Sequence, residues 1–346
     1  MLKRENFSEE HIRSLQQASH RDPVLLERAV YAFGLLEAIS RVGLPFIFKG
    51  GTCLMLLLEH PMRLSTDIDI IVRPGTDIEE YIQKSAAIFP FVSCEEQRRI
   101  GKNNIEKRHF KFHYESPTYH REIYILLDVL FEEPKYARLL QKPIRNELLL
   151  TEGELLTVSV PDAACMLGDK LTAFAPHTTG IPLNANKDME IMKQFYDVAT
   201  LFDVTEDFEA ARTTYFRLAP DEIAYRGLAI QPADALMDSF WAACSVASRG
   251  KVCPEDYRAY LRGMQSLRNH IYYENFSAET ASLQAPKVMY LAACMLKGVP
   301  VEKSLSAADY LNKVFLDSKL SALKGLKKIS PVSYAYAIRA EEILGE

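Results

Sequence analysis

The sequence lacks the cysteine patterns of a zinc site or a disulfide framework. Its six cysteines lie far apart, and no two form a Cys-x-x-Cys pair, so we expect a protein from a reducing compartment. It also lacks an apolar run of the roughly 20 residues needed to cross a bilayer. Residues 1–15 are polar and contain no apolar core, which argues against a secretory signal. Together these absences predict a cytoplasmic protein without membrane contact.

Common enzyme signatures are missing as well. The sequence contains no internal repeat, low-complexity tract, Walker loop, Rossmann fingerprint or Ser-His-Asp order. A net charge of −5 argues against broad coating of nucleic acid, although a local basic groove is compatible with it. What is present is a chain of 346 residues, 48% hydrophobic and 25% charged. These values predict a globular protein, and the length favours two domains.

The pattern of apolar residues changes near residue 160. Before this point, helices alternate with short strand-like runs at residues 46–48, 67–72, 91–95, 108–114, 122–131 and 154–160. After it, nearly every segment has helical periodicity. We therefore predict an α/β domain over residues 1–160, followed by an all-helical domain over residues 161–346.

A glycine pair begins the first candidate site. Gly50 and Gly51 lie where the strand at residues 46–48 turns into a predicted helix, and glycine lets the backbone approach a ligand closely. The backbone N–H groups and the Thr52 hydroxyl at the helix start are suitable donors for phosphate oxygens. Standing alone, such a pair is more often part of an exposed loop.

Two aspartates follow this helix. Asp67 and Asp69 occupy positions i and i+2 of a predicted strand, so both side chains point to one face. Two like charges repel unless a cation lies between them, and carboxylate oxygens suit Mg²⁺ or Mn²⁺, which can bridge them to nucleotide phosphates. A solvated strand edge is the alternative. The glycine turn and the aspartate pair together favour a nucleotide site.

Asp128 and Lys170 are the next candidates. Asp128 interrupts an apolar run at residues 122–131, where a charge is costly unless a metal ion or another partner compensates it. A third carboxylate suits a two-metal phosphoryl-transfer site, and a capped strand end is the alternative.

Lys170 lies within the apolar stripe of a predicted helix. Its ammonium must therefore extend to water or meet an anion such as a triphosphate.

The order of these candidates along the chain resembles a known family, the AbiEii/AbiGii-type toxin branch of the minimal nucleotidyltransferases, within the DNA polymerase β-like superfamily. The matching segments are FKGGT, RLSTDIDI, LLDV, PDAACMLGDKLTAF and QFYDVATLF, which span about residues 45–205. The resemblance implies an α+β fold with a nucleotidyltransferase-type mixed sheet flanked by helices. It also implies Mg²⁺- or Mn²⁺-dependent nucleotidyl transfer from an NTP, often as the toxin of a type IV toxin–antitoxin or abortive-infection system with a cognate antitoxin.

The resemblance implies a role for each matching residue. Asp67, Asp69 and Asp128 would be the metal ligands. Lys170 would bind the nucleotide phosphates, contributed by the helical domain to an interdomain cleft. The phosphate-binding turn would consist of Gly50, Gly51 and Thr52. Related toxins modify tRNA acceptor ends, so an RNA or tRNA hydroxyl is the implied acceptor, while a protein side chain or an antibiotic shares the same site chemistry.

The sequence departs from the family pattern in several places. Asp197 matches the last aspartate of an Arg-Asp-x-x-Asp-Leu pattern, but Lys193-Gln194 stand where Arg-Asp is commonly seen. One carboxylate is therefore absent, which leaves the role of this helix open. Lys193 and Asp197 also have the i,i+4 spacing that is typical of a solvated helix face. Threonine replaces the more usual serine at Thr52, and fourteen residues separate it from Asp67, slightly more than usual.

Two further groups have open roles. Arg63 and Ser65 precede the aspartates, where they would either position phosphates or fix the turn. A basic run consists of Arg98, Arg99, Lys102, Lys107, Arg108 and Lys111. Such a run is usually solvated, and RNA contact is the alternative.

Two functions from different classes are compatible with these residues. The first is Mg²⁺-dependent transfer of a nucleoside monophosphate from an NTP to a hydroxyl acceptor. The second is a nucleotide-binding protein without transfer activity that acts through partner contact. The presence of all three carboxylates favours transfer.

Overall fold

A computed structural model describes residues 1–58, 60–97 and 106–346 of the chain. They divide into two compact units. The first consists of Met1–Asp162 with Asn269–Glu274, and the second of Ala163–Arg268 with Asn275–Glu346. A short segment from the carboxyl-terminal half therefore belongs to the amino-terminal unit.

The first unit is built around a mixed sheet, with seven strands in its described part. They are β1 (Ile47–Lys49), β2 (Ile68–Val72), β3 (Ser93–Glu96), β4 (Lys107–Glu115), β5 (Glu122–Phe131), β6 (Leu139–Pro143) and β7 (Thr157–Pro161). Their order across the sheet is β3-β4-β5-β2-β1-β7-β6. The β2–β5 and β1–β7 pairs are parallel, and the other neighbouring strands are antiparallel. The predicted mixed sheet is confirmed.

Four α-helices accompany the sheet in the described part of this unit. They are α1 (Glu9–Ser19), α2 (Pro23–Arg41), α3 (Gly50–Leu57) and α4 (Glu79–Ala86). α2 begins with proline, a residue favoured at the first helical position, and the Asp22 carboxylate accepts a hydrogen bond from the Val24 N–H. The almost wholly buried α2 contacts β2 and β5, so this helix flanks the sheet, as predicted.

The two faces of the central strands differ in character. Ile70 and Val129 are each 1% exposed, while their neighbours Asp69 and Asp128 are half-buried. Successive strand residues point to opposite faces, so Ile70 and Val129 lie on a buried apolar face and the two carboxylates lie on the other, although β2 continues into Ile71 and Val72, which are buried as well. Removal of this apolar surface from water stabilises the unit.

The pairing register brings site residues together. Asp69 on β2 lies opposite Lys49 on β1 and opposite Asp128 on β5. Neighbouring strands are about 4.8 Å apart, and side chains of directly opposite residues project from the same face. Asp69 and Asp128 are therefore neighbours on one face of the sheet.

Strand β6 has no counterpart among the strands predicted from the sequence. Most of its residues are exposed, including Leu139 and Leu140, and they show no alternation of apolar and polar side chains. This segment is a strand because its backbone pairs with β7 at the edge of the sheet. Such backbone pairing leaves little trace in the side-chain pattern.

The second unit is helical, which confirms the predicted helical region. Its α-helices are α5 (Ala163–Ala173), α6 (Asp188–Val204), α7 (Phe208–Tyr225), α8 (Pro232–Ala247), α9 (Pro254–Leu267), α10 (Ala278–Lys297), α11 (Leu326–Ile329) and α12 (Pro331–Gly345). α5 packs against α6 and α7, and α10 packs against α8 and α12. In both units, no helix among the described residues is long and apolar enough to cross a membrane.

Candidate active site

The glycine turn and Asp69 are in direct contact. Gly50 begins α3 with φ +82°, a backbone conformation that glycine adopts without strain. A Cβ at this position would lie 1.9 Å from Oδ2 and 2.7 Å from Cγ of Asp69. The missing side chain therefore serves two purposes, because it permits the turn and gives space to the Asp69 carboxylate.

Gly51 is enclosed by the two residues whose roles were open. A Cβ on Gly51 would lie 2.5 Å from Ser65 Oγ and 2.8 Å from Arg63 Nη2. Arg63 is 5% exposed, and its backbone pairs with Ile271 of the returning segment Asn269–Glu274. The guanidinium thus packs beneath the turn, a position that favours support of the turn over contact with phosphates.

Thr52 uses its hydroxyl inside the protein. The side chain is fully buried, and Oγ1 donates a hydrogen bond of 2.6 Å to the backbone carbonyl of Asp67. This bond ties the start of α3 to the residue before β2. The backbone N–H groups of the turn are then the better candidates for phosphate donors, because in the described residues Lys49 forms no side-chain cap on α3.

Asp67 lies beside a cation on α2. Arg28 Nη2 is 3.6 Å from Asp67 Oδ1, and the two side chains are 31% and 46% exposed. Arg28 Nε is buried and has no hydrogen-bond partner among the described residues. The arginine therefore offsets part of the negative charge next to β2.

Asp128 lies beside a histidine on the neighbouring strand β4. His109 Nδ1 is 2.6 Å from Asp128 Oδ1, and the side chains are 13% and 32% exposed. The two residues are direct partners in the antiparallel β4–β5 ladder. Asp128 thus occupies a central strand with a polar partner in place, as a charged residue in such a position requires.

The second unit holds a buried ion pair of its own. Lys170 Nζ lies 2.9 Å from Asp197 Oδ2, with the side chains 9% and 0% exposed, and it donates a hydrogen bond of 3.1 Å to Gln194 Oε1. Lys193 pairs instead with Glu190 at 3.0 Å. The interpretation of Asp197 as part of a solvated helix face was wrong, because its side chain meets a lysine from another helix inside the unit.

All three aspartates fit a divalent cation in donor type, and Asp69 and Asp128 fit it in strand position as well. Carboxylate oxygens are the ligands that Mg²⁺ and Mn²⁺ prefer, and Asp69 and Asp128 are opposite one another. Within residues 1–58, 60–97 and 106–346, the structure contains no cluster of three or more His, Cys, Asp or Glu side chains that are close enough together to hold a metal ion. Two of the aspartates have partners within the protein. Asp67 pairs with Arg28, and one oxygen of Asp128 contacts His109. Asp67, Asp69 and Asp128 are the residues that would hold the ion.

Two solved structures are similar to this chain. JHP933 from Helicobacter pylori is 12% identical, with 79% of this chain and 94% of that chain covered and a TM-score of 0.45. An antigenic nucleotidyltransferase-like protein from Paracoccidioides brasiliensis is 13% identical, with coverage of 59% and 94% and a TM-score of 0.36. Likeness of this degree carries no argument about function. A comparison with curated proteins finds no significant match.

The family comparison is decisive. The model of the nucleotidyl transferase AbiEii toxin of type IV toxin–antitoxin systems matches residues 34–279, which is more than half of the chain. The chain belongs to the AbiEii family. The prediction of a nucleotidyltransferase from the toxin branch is thereby confirmed.

Membership of the AbiEii family also bears on the predicted metal ion, nucleotide and antitoxin. Enzymes of this family generally use divalent metal ions and a nucleotide substrate, and a type IV toxin implies a cognate antitoxin. Within this AbiEii protein, the first unit brings together Asp67, Asp69, Asp128 and the glycine turn. Lys170, Lys193 and Asp197 belong to the second unit.

Sequence reasoning missed Arg28 and His109. Arg28 lies on a helix that precedes the glycine turn, and nothing in its local pattern indicates a carboxylate partner. The alternation of β4 does place His109 on one face with Lys111 and His113, so the polar face was detectable. Its partner Asp128 was not, because the β4–β5 register is a tertiary property.

The basic run is largely paired where it is described. Arg108 contacts Glu96 at 2.8 Å and Glu79 at 2.7 Å. Lys111 donates to Glu95 at 3.0 Å, and this contact lowers the pKa of the glutamate. These pairs favour the solvated-surface interpretation of the run over RNA contact. Its members Arg98, Arg99 and Lys102 lie outside the described residues.

Proposed function

We propose that this AbiEii-family enzyme transfers a nucleoside monophosphate from an NTP to a hydroxyl of RNA, with tRNA as the favoured acceptor, and releases pyrophosphate. One observation carries the proposal: Asp69 contacts the glycine turn on one side and lies opposite Asp128 on the other. The proposed phosphate-binding turn and two carboxylates are thus neighbours. This is the combination that metal-assisted phosphoryl transfer requires.

The residues of the first unit divide the work of binding. The backbone N–H groups at the start of α3 receive phosphate oxygens, since they point outward from a helix amino terminus. Thr52 and Arg63 keep this turn in place through the contacts described above. Asp67, Asp69 and Asp128 hold Mg²⁺ or Mn²⁺. When bound, such an ion neutralises phosphate charge and lowers the pKa of a coordinated hydroxyl.

Lys170 is proposed to bind nucleotide phosphate. An ammonium has three N–H donors, and Asp197 and Gln194 accept from it on one side. One donor is therefore left for a phosphate oxygen. Gln194 is neutral where the family commonly has a carboxylate, so less of the positive charge of the lysine is offset by its neighbours. Lys193 lies on α6, the helix that carries Gln194 and Asp197. Its pair with Glu190 is proposed to support this helix.

The acceptor and the nucleotide are identified by one experiment. The purified protein is incubated with each radiolabelled NTP, Mg²⁺ and total cellular RNA, and pyrophosphate release and labelled RNA are measured together. We expect both signals from wild type and neither from Asp69→Asn. Pyrophosphate release with labelled protein instead of labelled RNA would keep the transfer reaction and replace the acceptor. Tight NTP binding without pyrophosphate release would contradict transfer and favour the nucleotide-binding alternative.

The toxin role has a test of its own. Expression in a bacterial host is expected to arrest growth, and Asp69→Asn at equal expression is expected to relieve the arrest. Equal arrest by both proteins would separate toxicity from the proposed chemistry.

A further inference from the structure

A row of three polar side chains crosses three neighbouring strands. Asp69 on β2 is the direct partner of Asp128 on β5, and Asp128 is the direct partner of His109 on β4. Directly opposite residues in a sheet project from the same face. The histidine therefore stands at the end of the carboxylate row, on the side of Asp128 that faces away from Asp69.

His109 is held more firmly than a surface histidine. Its side chain is 13% exposed, and its Nδ1 lies 2.6 Å from Asp128 Oδ1. A partly buried imidazole on a strand between β3 and β5 has few rotamers open to it. The contact therefore restricts rotation of the Asp128 carboxylate as well, because one of its two oxygens is engaged.

We propose that His109 is a positioning residue that orients Asp128 for the metal ion of the proposed function, on which this inference rests. With Oδ1 engaged by His109, Oδ2 is the oxygen that Asp128 presents to a cation shared with Asp69. Ligating carboxylates are commonly hydrogen-bonded by such outer partners, whose removal typically weakens metal binding 10- to 100-fold. His109 itself does not contact the reacting groups in this assignment.

The same strand offers a matched comparison. His113 lies four residues after His109 on β4 and therefore on the same face of the strand. Its side chain is 16% exposed. Its partners are Glu122 at 2.9 Å and Glu95 at 3.6 Å. Neither glutamate belongs to the carboxylate row. The two histidines thus share residue type, strand, face and burial, and differ in the carboxylate that they contact.

The experiment compares three variants of the full chain. His109→Leu removes the polar contact, His109→Asn places an amide N–H donor close to the position of Nδ1, and His113→Leu is the control. Mn²⁺ affinity is measured by calorimetry in the presence of the Mg²⁺ complex of a non-hydrolysable NTP analogue, so that the titration reports the further ion that Asp128 completes. Thermal unfolding reports the integrity of each variant. Single-turnover transfer is measured as a further readout.

We expect His109→Leu to weaken Mn²⁺ binding about 10- to 100-fold, with a parallel loss in the transfer rate. His109→Asn should recover most of the affinity, and His113→Leu should match wild type within about twofold. Should His109→Leu fail to fold, His109→Gln takes its place, because its amide lies nearer the position of Nε2 and should not rescue as asparagine does.

Two outcomes overturn the positioning role. One is Mn²⁺ affinity of His109→Leu equal to that of His113→Leu. The other is an equal loss in His109→Leu and His109→Asn, which would assign the effect to ring packing.

Asp69→Asn is included to separate this inference from the proposed function. If Asp69→Asn binds Mn²⁺ as wild type does, the carboxylate site itself is wrong, and the role of His109 is wrong with it. A normal loss in Asp69→Asn beside an unaffected His109→Leu rejects the role of His109 alone.

Discussion

Gly50 and Asp69 are packed so closely that a Cβ on the glycine would lie 1.9 Å from Oδ2 of the aspartate. The two residues are separated by a whole helix in the sequence, yet each sets the position of the other. Gly50 also has φ +82°, so a substitution there acts on the backbone and on the carboxylate at once. A second glycine separates these two effects.

The first prediction compares Gly50→Ala with Gly75→Ala. Gly75 has nearly the same backbone, φ +79°, but no atom lies within 4 Å of an added Cβ. We expect Gly75→Ala to lower the free energy of unfolding by about 1–2 kcal/mol through backbone strain alone, with Mg·NTP affinity retained. Gly50→Ala should carry a similar strain and also weaken Mg·NTP binding about tenfold or more, because Asp69 must move. Chemical denaturation and calorimetry measure both quantities, and equal NTP affinities would show that Asp69 is not a ligand.

The second prediction concerns the separate roles of Asp69 and Asp128. Asp69 lies against the phosphate turn, so Asp69→Asn should abolish Mg·NTP binding and transfer together. Asp128 comes from the next strand and should complete the ion that activates the attacking hydroxyl. Asp128→Asn should therefore bind Mg·NTP within a few-fold of wild type and lose at least ~10²-fold in rate, the scale for loss of one electrostatic stabiliser. Near-normal single-turnover transfer by Asp128→Asn would leave a two-carboxylate site.

The third prediction concerns the buried ion pair of the second unit. Lys170→Met leaves Asp197, 0% exposed, without its cation, which should cost about 3–5 kcal/mol of unfolding free energy. Lys170→Met combined with Asp197→Leu should restore much of the stability, because the buried carboxylate is removed together with the ammonium. Lys193→Met is the control: its pair with Glu190 is more exposed, so the loss should stay below about 1 kcal/mol.

The same double variant tests the proposed phosphate role of Lys170. If the lysine binds phosphate, NTP affinity should remain low in the double variant although its stability has returned. Wild-type NTP affinity in this stable protein would reduce Lys170 to a structural residue.

The fourth prediction concerns Arg28. Its guanidinium lies 3.6 Å from Asp67, and a positive charge there opposes a divalent cation at the same carboxylate. Arg28→Met should therefore raise Mn²⁺ affinity in the absence of nucleotide by up to about fivefold, because a solvent-exposed charge pair contributes roughly 0.2–1 kcal/mol. Arg28→Lys keeps the charge and should resemble wild type. Calorimetric titration with Mn²⁺ alone provides the measurement, and unchanged affinity in Arg28→Met would mean that Asp67 does not contribute to ion binding.

Local sequence patterns are sufficient to locate most of the strands and the polar residues on them. The alternation in residues 67–72 and 108–114 and the apolar run at residues 122–131 correspond to β2, β4 and β5, because side chains of a strand alternate between core and solvent. The same local rule predicts that Asp67 and Asp69 share one face; in the structure Asp69 lies on β2, and Asp67 directly precedes this strand. The glycine pair marked the start of α3, since a turn that needs a positive φ selects glycine.

The contacts between these residues depend on strand register and helix packing. The pairing of β2 with β5 makes Asp69 a neighbour of Asp128, and the pairing of β4 with β5 gives Asp128 its contact with His109. The packing of α2 brings Arg28 to Asp67, and helix packing in the second unit buries Asp197 against Lys170. Spacing along the chain could not reveal these partners, because strand register and helix packing depend on hydrogen bonds and apolar contacts between residues distant in sequence.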